Sequence, residues 1–207
     1  MGTGLDAALP VRRRQRNLWH WQADKRREWQ MAWATAQVLT PPPASAYGAF
    51  GESRVTAPAR IGQKHCVHIG DGVFIDEGVW LSVVRPFDDI TPRVVIEDNV
   101  RIGRFCAFGI AGDFTIARGA VIGDFTMVVD TIHPPEAEDR LHAVARPQPV
   151  HIGEGAVIAT HVVILPGVTI GAGAYVEHHS VVGKDVAPGD YVAGYPARRR
   201  SLAKTPA

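Results

Sequence analysis

Cysteine is nearly missing: 207 residues contain only Cys66 and Cys106. They make no Cys-x-x-Cys spacing and no disulfide framework, so a reducing compartment is the expected setting. An excess of charge of one sign is missing too. Twenty-two Lys+Arg face 21 Asp+Glu, which argues against a strongly electrostatic partner such as duplex DNA, and no nucleic acid is expected. The N-terminus lacks the charged-then-apolar order of a signal peptide. The uncharged run at 30–51 contains TPPPASAYGAFG, a poor membrane helix, so no transmembrane segment is expected. A soluble cytoplasmic protein is the default expectation. No GxSxG elbow, phosphate-binding P-loop or HExxH metal motif occurs either.

What the sequence does have is a period of six. An aliphatic residue opens each unit, often followed by Gly, with a small or β-branched residue four places on. Val55, Ile61, Ile69, Ile75 and Leu81 open a first run, with two extra residues before Ile69. Ile96, Ile102, Phe108, Ile116, Ile122 and Val128 open a second, with two extra residues before Ile116. Ile152, Ile158, Ile164, Ile170, Val176 and Val182 open a third without a gap. Six is neither helical nor simple alternation. It suits a short flat strand plus a tight corner, three times per triangular coil, with each opener pointing inward and stacking on its neighbours. The count predicts between five and six coils. Glycine at the second place is expected to relieve crowding at the corner. A β-sandwich would instead put turns at roughly 8–12-residue spacing, and the strict sixes from Ile152 to Ala187 argue against it.

Three segments fall outside the repeat. Residues 11–39 read as a helix, with Trp29 and Trp33 four apart on one face and a cluster of basic residues, and PPP at 41–43 ends it. VRPFDDITPRV (84–94) and PPEAEDRLHAVARPQPV (134–150) interrupt the coils. The expected organisation is a helical extension at 1–50, a coil at 51–200 with a loop insertion at 134–150, and a tail at 201–207. Loops leaving a rigid solenoid commonly carry function.

Of nine histidines, His133 is singled out. It ends a hexad, abuts Pro134 and opens the longer loop, and a residue before proline is held extended. An imidazole on a stiff frame beside a loop suits a general base. The sequence alone equally allows a surface histidine at a loop root. His178 and His179 fall at a solvent-facing corner, His161 is either structural or lines a groove, and His65 and His68 make a two-residue pair too small for a metal site. His20 and His142 have no partner visible in sequence.

VHIGDGVFIDEGVWLSVV (67–84), VVDTIHPPEAED (128–139), HVVILPGVTIGAGAYV (161–176) and VVGKDVAPGDYVAGYPAR (181–198) together resemble the hexapeptide-repeat acyltransferases. The resemblance is to the bacterial sugar and polysaccharide O-acetyltransferases, related to galactoside, maltose and Nod-factor acetyltransferases, and it covers about residues 55–200. It implies an all-β, left-handed parallel β-helix, a homotrimer with sites between neighbouring chains, and acetyl-CoA as co-substrate with no metal. It makes His133 the base that deprotonates a sugar hydroxyl for direct attack on the thioester. Asp130, three residues earlier, matches the family's aspartate and either orients the imidazole, binds the acceptor or is a corner carboxylate. An oxyanion-binding amide is implied at Thr160. Ala159, Lys184, Gly194, Pro196 and Arg198 fall in the stretches that receive CoA, where a basic residue suits the phosphates. Two departures stand out. Val157 replaces a tryptophan and Ala159 a glycine of many relatives, and CAFGIAGD (106–113) lacks the acceptor asparagine of the galactoside type.

Other readings on the same fold are an N-acetyltransferase of an amino sugar or antibiotic, a non-catalytic scaffold, and a zinc carbonic anhydrase. The last needs two histidines five apart among three zinc ligands, and no pair has that spacing.

Overall fold

In the computed structural model the chain divides into two units, Met1–Thr40 and Pro41–Ala207. The structure describes residues 47–57, 59–139 and 143–201, all in the second unit. The helix read at 11–39, His20, His142 and most of the tail lie outside the described residues.

Among the described residues, twenty short strands build three sheets. The first sheet stacks β1 (Ala49–Phe50), β4 (Val67–Ile69), β7 (Arg93–Ile96), β10 (Asp113–Ile116), β13 (Val150–Ile152) and β16 (Thr169–Ile170). The second stacks β2 (Arg54–Val55), β5 (Phe74–Ile75), β8 (Arg101–Ile102), β11 (Val121–Ile122), β14 (Val157–Ile158), β17 (Tyr175–Val176), β19 (Tyr191–Ala193) and β20 (Arg198–Arg199). The third holds β3 (Arg60–Ile61), β6 (Trp80–Val83), β9 (Ala107–Ile110), β12 (Met127–Val129), β15 (Val163–Ile164) and β18 (Val181–Val182). From β1 to β18 successive strands visit sheets one, two and three in turn, so the chain winds as a three-sided coil of six turns. All pairings are parallel except that of β19 with β20. The only helical element among the described residues is a 3-10 turn at Lys64–Cys66.

The openers form the core. Ile75, Ile102, Ile122, Ile158 and Val176 sit in register on consecutive coils of the second sheet. Each is nearly inaccessible to solvent, as are the other openers, from Val55 and Ile61 to Val182. Burying an aliphatic side chain of this size stabilises by about 1.5–3 kcal/mol, so a column of them holds every coil to the next. The expected count missed the first strand, whose inward residue, Phe50, pairs with Ile69 but stands five rather than six residues before Val55. It also missed the last turn, where Val186 bridges Ile170 and Val192 pairs with Val176.

The corners explain the rest of the repeat. The left-handed backbone conformation falls three residues after the inward residue. At the edge between sheets two and three that place is taken by Gly78, Phe105, Phe125, His161 and His179, with φ between +54° and +73°. Phe105 stacks on Phe125 at 5.4 Å, Phe125 on His161 at 4.8 Å and His161 on His179 at 4.8 Å. Stacking offsets part of the cost of a non-glycine residue in this conformation. The glycine just after the opener serves a different need. A Cβ on Gly123 would lie 2.7 Å from the Ala159 carbonyl carbon and 2.8 Å from the Thr160 nitrogen on the next coil. Gly123→Ala is therefore expected to destabilise by about 1–3 kcal/mol, read as a lower urea midpoint at unchanged slope. A variant as stable as the parent would show that the coils can separate locally.

From Val55 to Val192, openers stay six apart at two of the three edges. They lengthen only between sheets three and one, at Ile61 to Ile69, Leu81 to Ile96, Phe108 to Ile116 and Val128 to Ile152, and the same edge shortens once, at Val182 to Val186. Every insertion of the solenoid thus leaves from one edge.

Candidate active site

His133 lies on that edge, in the segment 130–149 between β12 and β13, and its ring is exposed. The segment leaves and returns as two limbs that bond each other. Gln148 N–H donates to the Asp130 carbonyl at 2.7 Å and Ala145 N–H to the Ile132 carbonyl at 2.9 Å. Thr131 Oγ1 donates to the Ala145 carbonyl at 2.6 Å. His133 Nδ1 lies 2.8 Å from the Ala143 carbonyl oxygen. A carbonyl only accepts, so Nδ1 carries the hydrogen, and in the neutral ring the lone pair is then on Nε2. That is the tautomer a general base requires.

Asp130 is fully buried. Its Oδ1 and Oδ2 each lie 2.9 Å from the Ala111 N–H, and Oδ2 accepts from the Gly112 N–H at 2.7 Å. Those two amides belong to the two-residue insertion between β9 and β10. Burial pushes the carboxyl above its usual range, against the opposing pull of these amides. The structure therefore gives the His133 ring a carbonyl partner, Ala143, and gives the Asp130 carboxylate two backbone amides; it does not hydrogen-bond one side chain to the other. Sequence reasoning missed Ala143, and nothing in an alanine ten residues downstream could have signalled it.

The residues assigned to CoA do not fall in one place. Ala159 and Thr160 lie at the edge between sheets two and three, ahead of β15. The Ala159 N–H belongs to the ladder, bonding the Val176 carbonyl at 2.9 Å, and its carbonyl accepts from Thr126 Oγ1 at 3.1 Å. Thr160 N–H points to His178 Nδ1 at 3.3 Å, and Thr160 Oγ1 lies 2.8 Å from the same nitrogen. An N–H only donates, so the His178 hydrogen sits on Nε2, 3.6 Å from Glu177 Oε1. Tyr191 completes the chain by donating its hydroxyl to Glu177 Oε2, which holds the Glu177 carboxyl below its usual range and raises the Tyr191 phenol. Gly194, at φ +100°, donates to Ser180 Oγ at 3.1 Å beyond β19, and a cis peptide precedes the exposed Pro196. Arg198 is exposed on β20. Lys184 is exposed after β18, on the same edge as His133.

One chain thus carries the candidate base and the candidate oxyanion amide on different edges, with the third sheet between them. Exposed Phe105, Phe125 and Met127 lie along the Thr160 edge and the adjoining face. Both thiols are buried, and burial pushes the Cys106 thiol up to about 11, which removes it as a nucleophile. Among the described residues no group of three His, Cys, Asp or Glu could hold a metal ion, and no helix is long and apolar enough to cross a membrane.

Residues 149–184 match the family model for the bacterial transferase hexapeptide (six repeats). A Staphylococcus aureus (strain COL) protein named as a candidate acetyltransferase is 34% identical over 119 residues, covering 57% of this chain and 60% of that protein. The galactoside O-acetyltransferase of Escherichia coli (strain K12) is 34% identical over 110 residues, covering 48% and 52%. The match thus spans only about half to 60% of the length of these relatives. Among solved structures, a hexapeptide-repeat acetyltransferase of Vibrio cholerae O1 biovar eltor complexed with acetyl coenzyme A covers 99% of this chain and 94% of that one, at 25% identity and a TM-score of 0.52. AntD, an N-acyltransferase of Bacillus cereus in complex with dTDP and 3-hydroxybutyryl-CoA, shares the fold over 77% of this chain and 85% of its own, at 21% identity and a TM-score of 0.67. Residues 149–184 thus carry the match to the hexapeptide family model, and the chain is similar in sequence to bacterial acetyltransferases and in fold to a hexapeptide-repeat acetyltransferase.

Proposed function

We propose that the protein transfers an acetyl group from acetyl-CoA to a sugar hydroxyl, with His133 as general base. The observation that carries this reading is the hydrogen bond from His133 Nδ1 to the Ala143 carbonyl, which leaves Nε2 free at the root of the coil's longest loop. In the step, Nε2 takes the hydroxyl proton as the oxygen attacks the thioester carbonyl. The tetrahedral oxyanion collapses, the C–S bond breaks, and the imidazolium returns its proton to the departing thiolate, giving the ester and free CoA. A hydroxyl needs this base at the moment of attack, whereas a neutral amine can attack first and lose its proton later. The base-ready tautomer therefore favours an oxygen acceptor over an amine.

Thr160 N–H serves the oxyanion once it is released from His178, and a 3.3 Å contact to a ring nitrogen is weak enough to be displaced. Since Thr160 and His133 sit on different edges, the reading requires a second copy of this chain, whose His133 edge meets the Thr160 edge of the first. The exposed apolar residues beside Thr160 suit burial in that contact. A closed three-fold arrangement repeats the same contact three times. Lys184 and Arg198 supply cations for the CoA phosphates.

The test is acetyl-CoA turnover, followed as released thiol, over a panel of hydroxyl-only sugars and amino sugars, with sedimentation of the same preparation. Acceptor-dependent release with hydroxyl-only sugars by a trimer is expected. A protein that sediments as a monomer, or binds no CoA in calorimetry, overturns the reading and leaves a scaffold. Turnover confined to amino sugars replaces the oxygen acceptor by nitrogen.

A further inference from the structure

The two long insertions of the coil edge are fastened to each other. Arg146 Nη2 reaches Asp89 Oδ2 at 2.6 Å, across 57 residues of sequence. The same guanidinium lies 5.3 Å from the Phe87 ring centroid, over its face. Phe87 and Asp89 belong to the loop between β6 and β7. Arg146 belongs to the returning limb of the His133 loop. That limb carries the two contacts that define the ring: Ala145 bonds Ile132 and Thr131, and Ala143 holds His133 Nδ1. Arg146 therefore ties down the strip of backbone whose carbonyl sets the tautomer of the candidate base.

We propose that Arg146, gripped by Asp89 and Phe87, is a positioning residue: it anchors the returning limb so that the Ala143 carbonyl stays on His133 Nδ1. The catalytic half of this inference rests on the acetyl-transfer reading; the statement about the ring does not.

An exposed ion pair contributes little to global stability, so the effect is geometric. Water competes with the Ala143 carbonyl for the Nδ1 hydrogen. An imidazole without a fixed acceptor exchanges its proton between both nitrogens, and the fraction with Nε2 free then falls. Even a small displacement of the base from its productive geometry lowers the rate steeply. Arginine matters here over lysine, because its planar fork can meet a carboxylate and lie on an aromatic face together. The Asp89 carboxyl, held below its usual range chiefly by the Arg146 hydrogen bond, stays charged through the neutral range, so the clamp is present there.

The experiment reads the ring directly. In 15N-histidine protein, long-range 1H–15N spectra distinguish the Nδ1–H from the Nε2–H tautomer, with His133 assigned by the signal lost in His133→Gln. The parent is expected to show the Nδ1–H form. Arg146→Ala should show a mixture, Arg146→Lys an intermediate state, and the exchanged pair Asp89→Arg with Arg146→Asp a return toward the parent. The unfolding midpoint should move by no more than about 3 °C. In turnover, Arg146→Ala should lower kcat about tenfold and leave KM for acetyl-CoA within about twofold, the split expected of a misplaced base. An Arg146→Ala protein that keeps a single Nδ1–H tautomer overturns the inference, as does failure of the exchanged pair to restore it. A shifted tautomer in a protein whose His133→Ala variant keeps full turnover upholds the clamp and removes His133 as the base.

Discussion

His133→Ala is expected to lower acceptor-dependent release of CoA by about 10²–10⁴-fold while leaving the fold intact. The ring is exposed and makes one hydrogen bond, to the Ala143 carbonyl. Its removal costs at most about 1.5 kcal/mol of stability and opens no cavity. The loss should fall on kcat, with CoA affinity in calorimetry close to that of the parent, because a base acts on the proton in flight rather than on the bound thioester. Full turnover in the variant would sink the base assignment. An intermediate result is also decisive: a small loss with amines alongside a large loss with hydroxyls assigns His133 to oxygen acceptors.

Asp130→Ala should do the reverse. The side chain is buried and accepts from two buried amides, Ala111 and Gly112. Deleting it leaves both N–H groups without an acceptor at a corner that has no water-facing alternative. Each such orphan costs about 1–3 kcal/mol, so the expected destabilisation is about 2–6 kcal/mol, visible as a lower urea midpoint. Asp130→Asn keeps one oxygen, which at the Oδ2 position can still accept from both amides, and should lose less. The pH dependence adds a sign. Because the folded pKa is raised, the native state binds this proton more tightly than the unfolded chain does. The stability from that proton is fully present below the unfolded value near 3.8 and declines as pH rises through the folded value. Asp130→Asn removes that decline. If the alanine variant is as stable as the parent but catalytically dead, the carboxylate acts in the chemistry and not in the corner.

Much of this was legible in the sequence, for a definite reason. A six-residue period can bury an aliphatic column only by folding into a triangular coil, so Ile102, Ile122 and Ile158 announce both their environment and their neighbours above and below. The break after Val128 announced an insertion, and His133 stood at its root. Less was legible where contacts depend on how loops return. Ala143 is chemically silent; only its carbonyl matters, and its position follows from the pairing of two limbs. Arg146 and Asp89 are 57 residues apart and meet because one edge collects both loops. Asp130 was readable as a polar residue at a corner, but its partners are main-chain amides from the preceding coil, which no side-chain pattern encodes.

The placement of every insertion on one edge has a wider meaning. Each coil comes back into register at the first sheet whatever length of chain has left the edge before it. The ladder therefore fixes where a loop begins and ends without constraining what it contains. On the acetyl-transfer reading, acceptor preference can diverge by exchange of loops alone, as a lathe accepts different cutting tools on one spindle. The structure marks the natural joints for such an exchange: Val83 and Arg93 for the shorter loop, Val129 and Val150 for the longer. Because Arg146 grips the other loop, the two would have to be exchanged together.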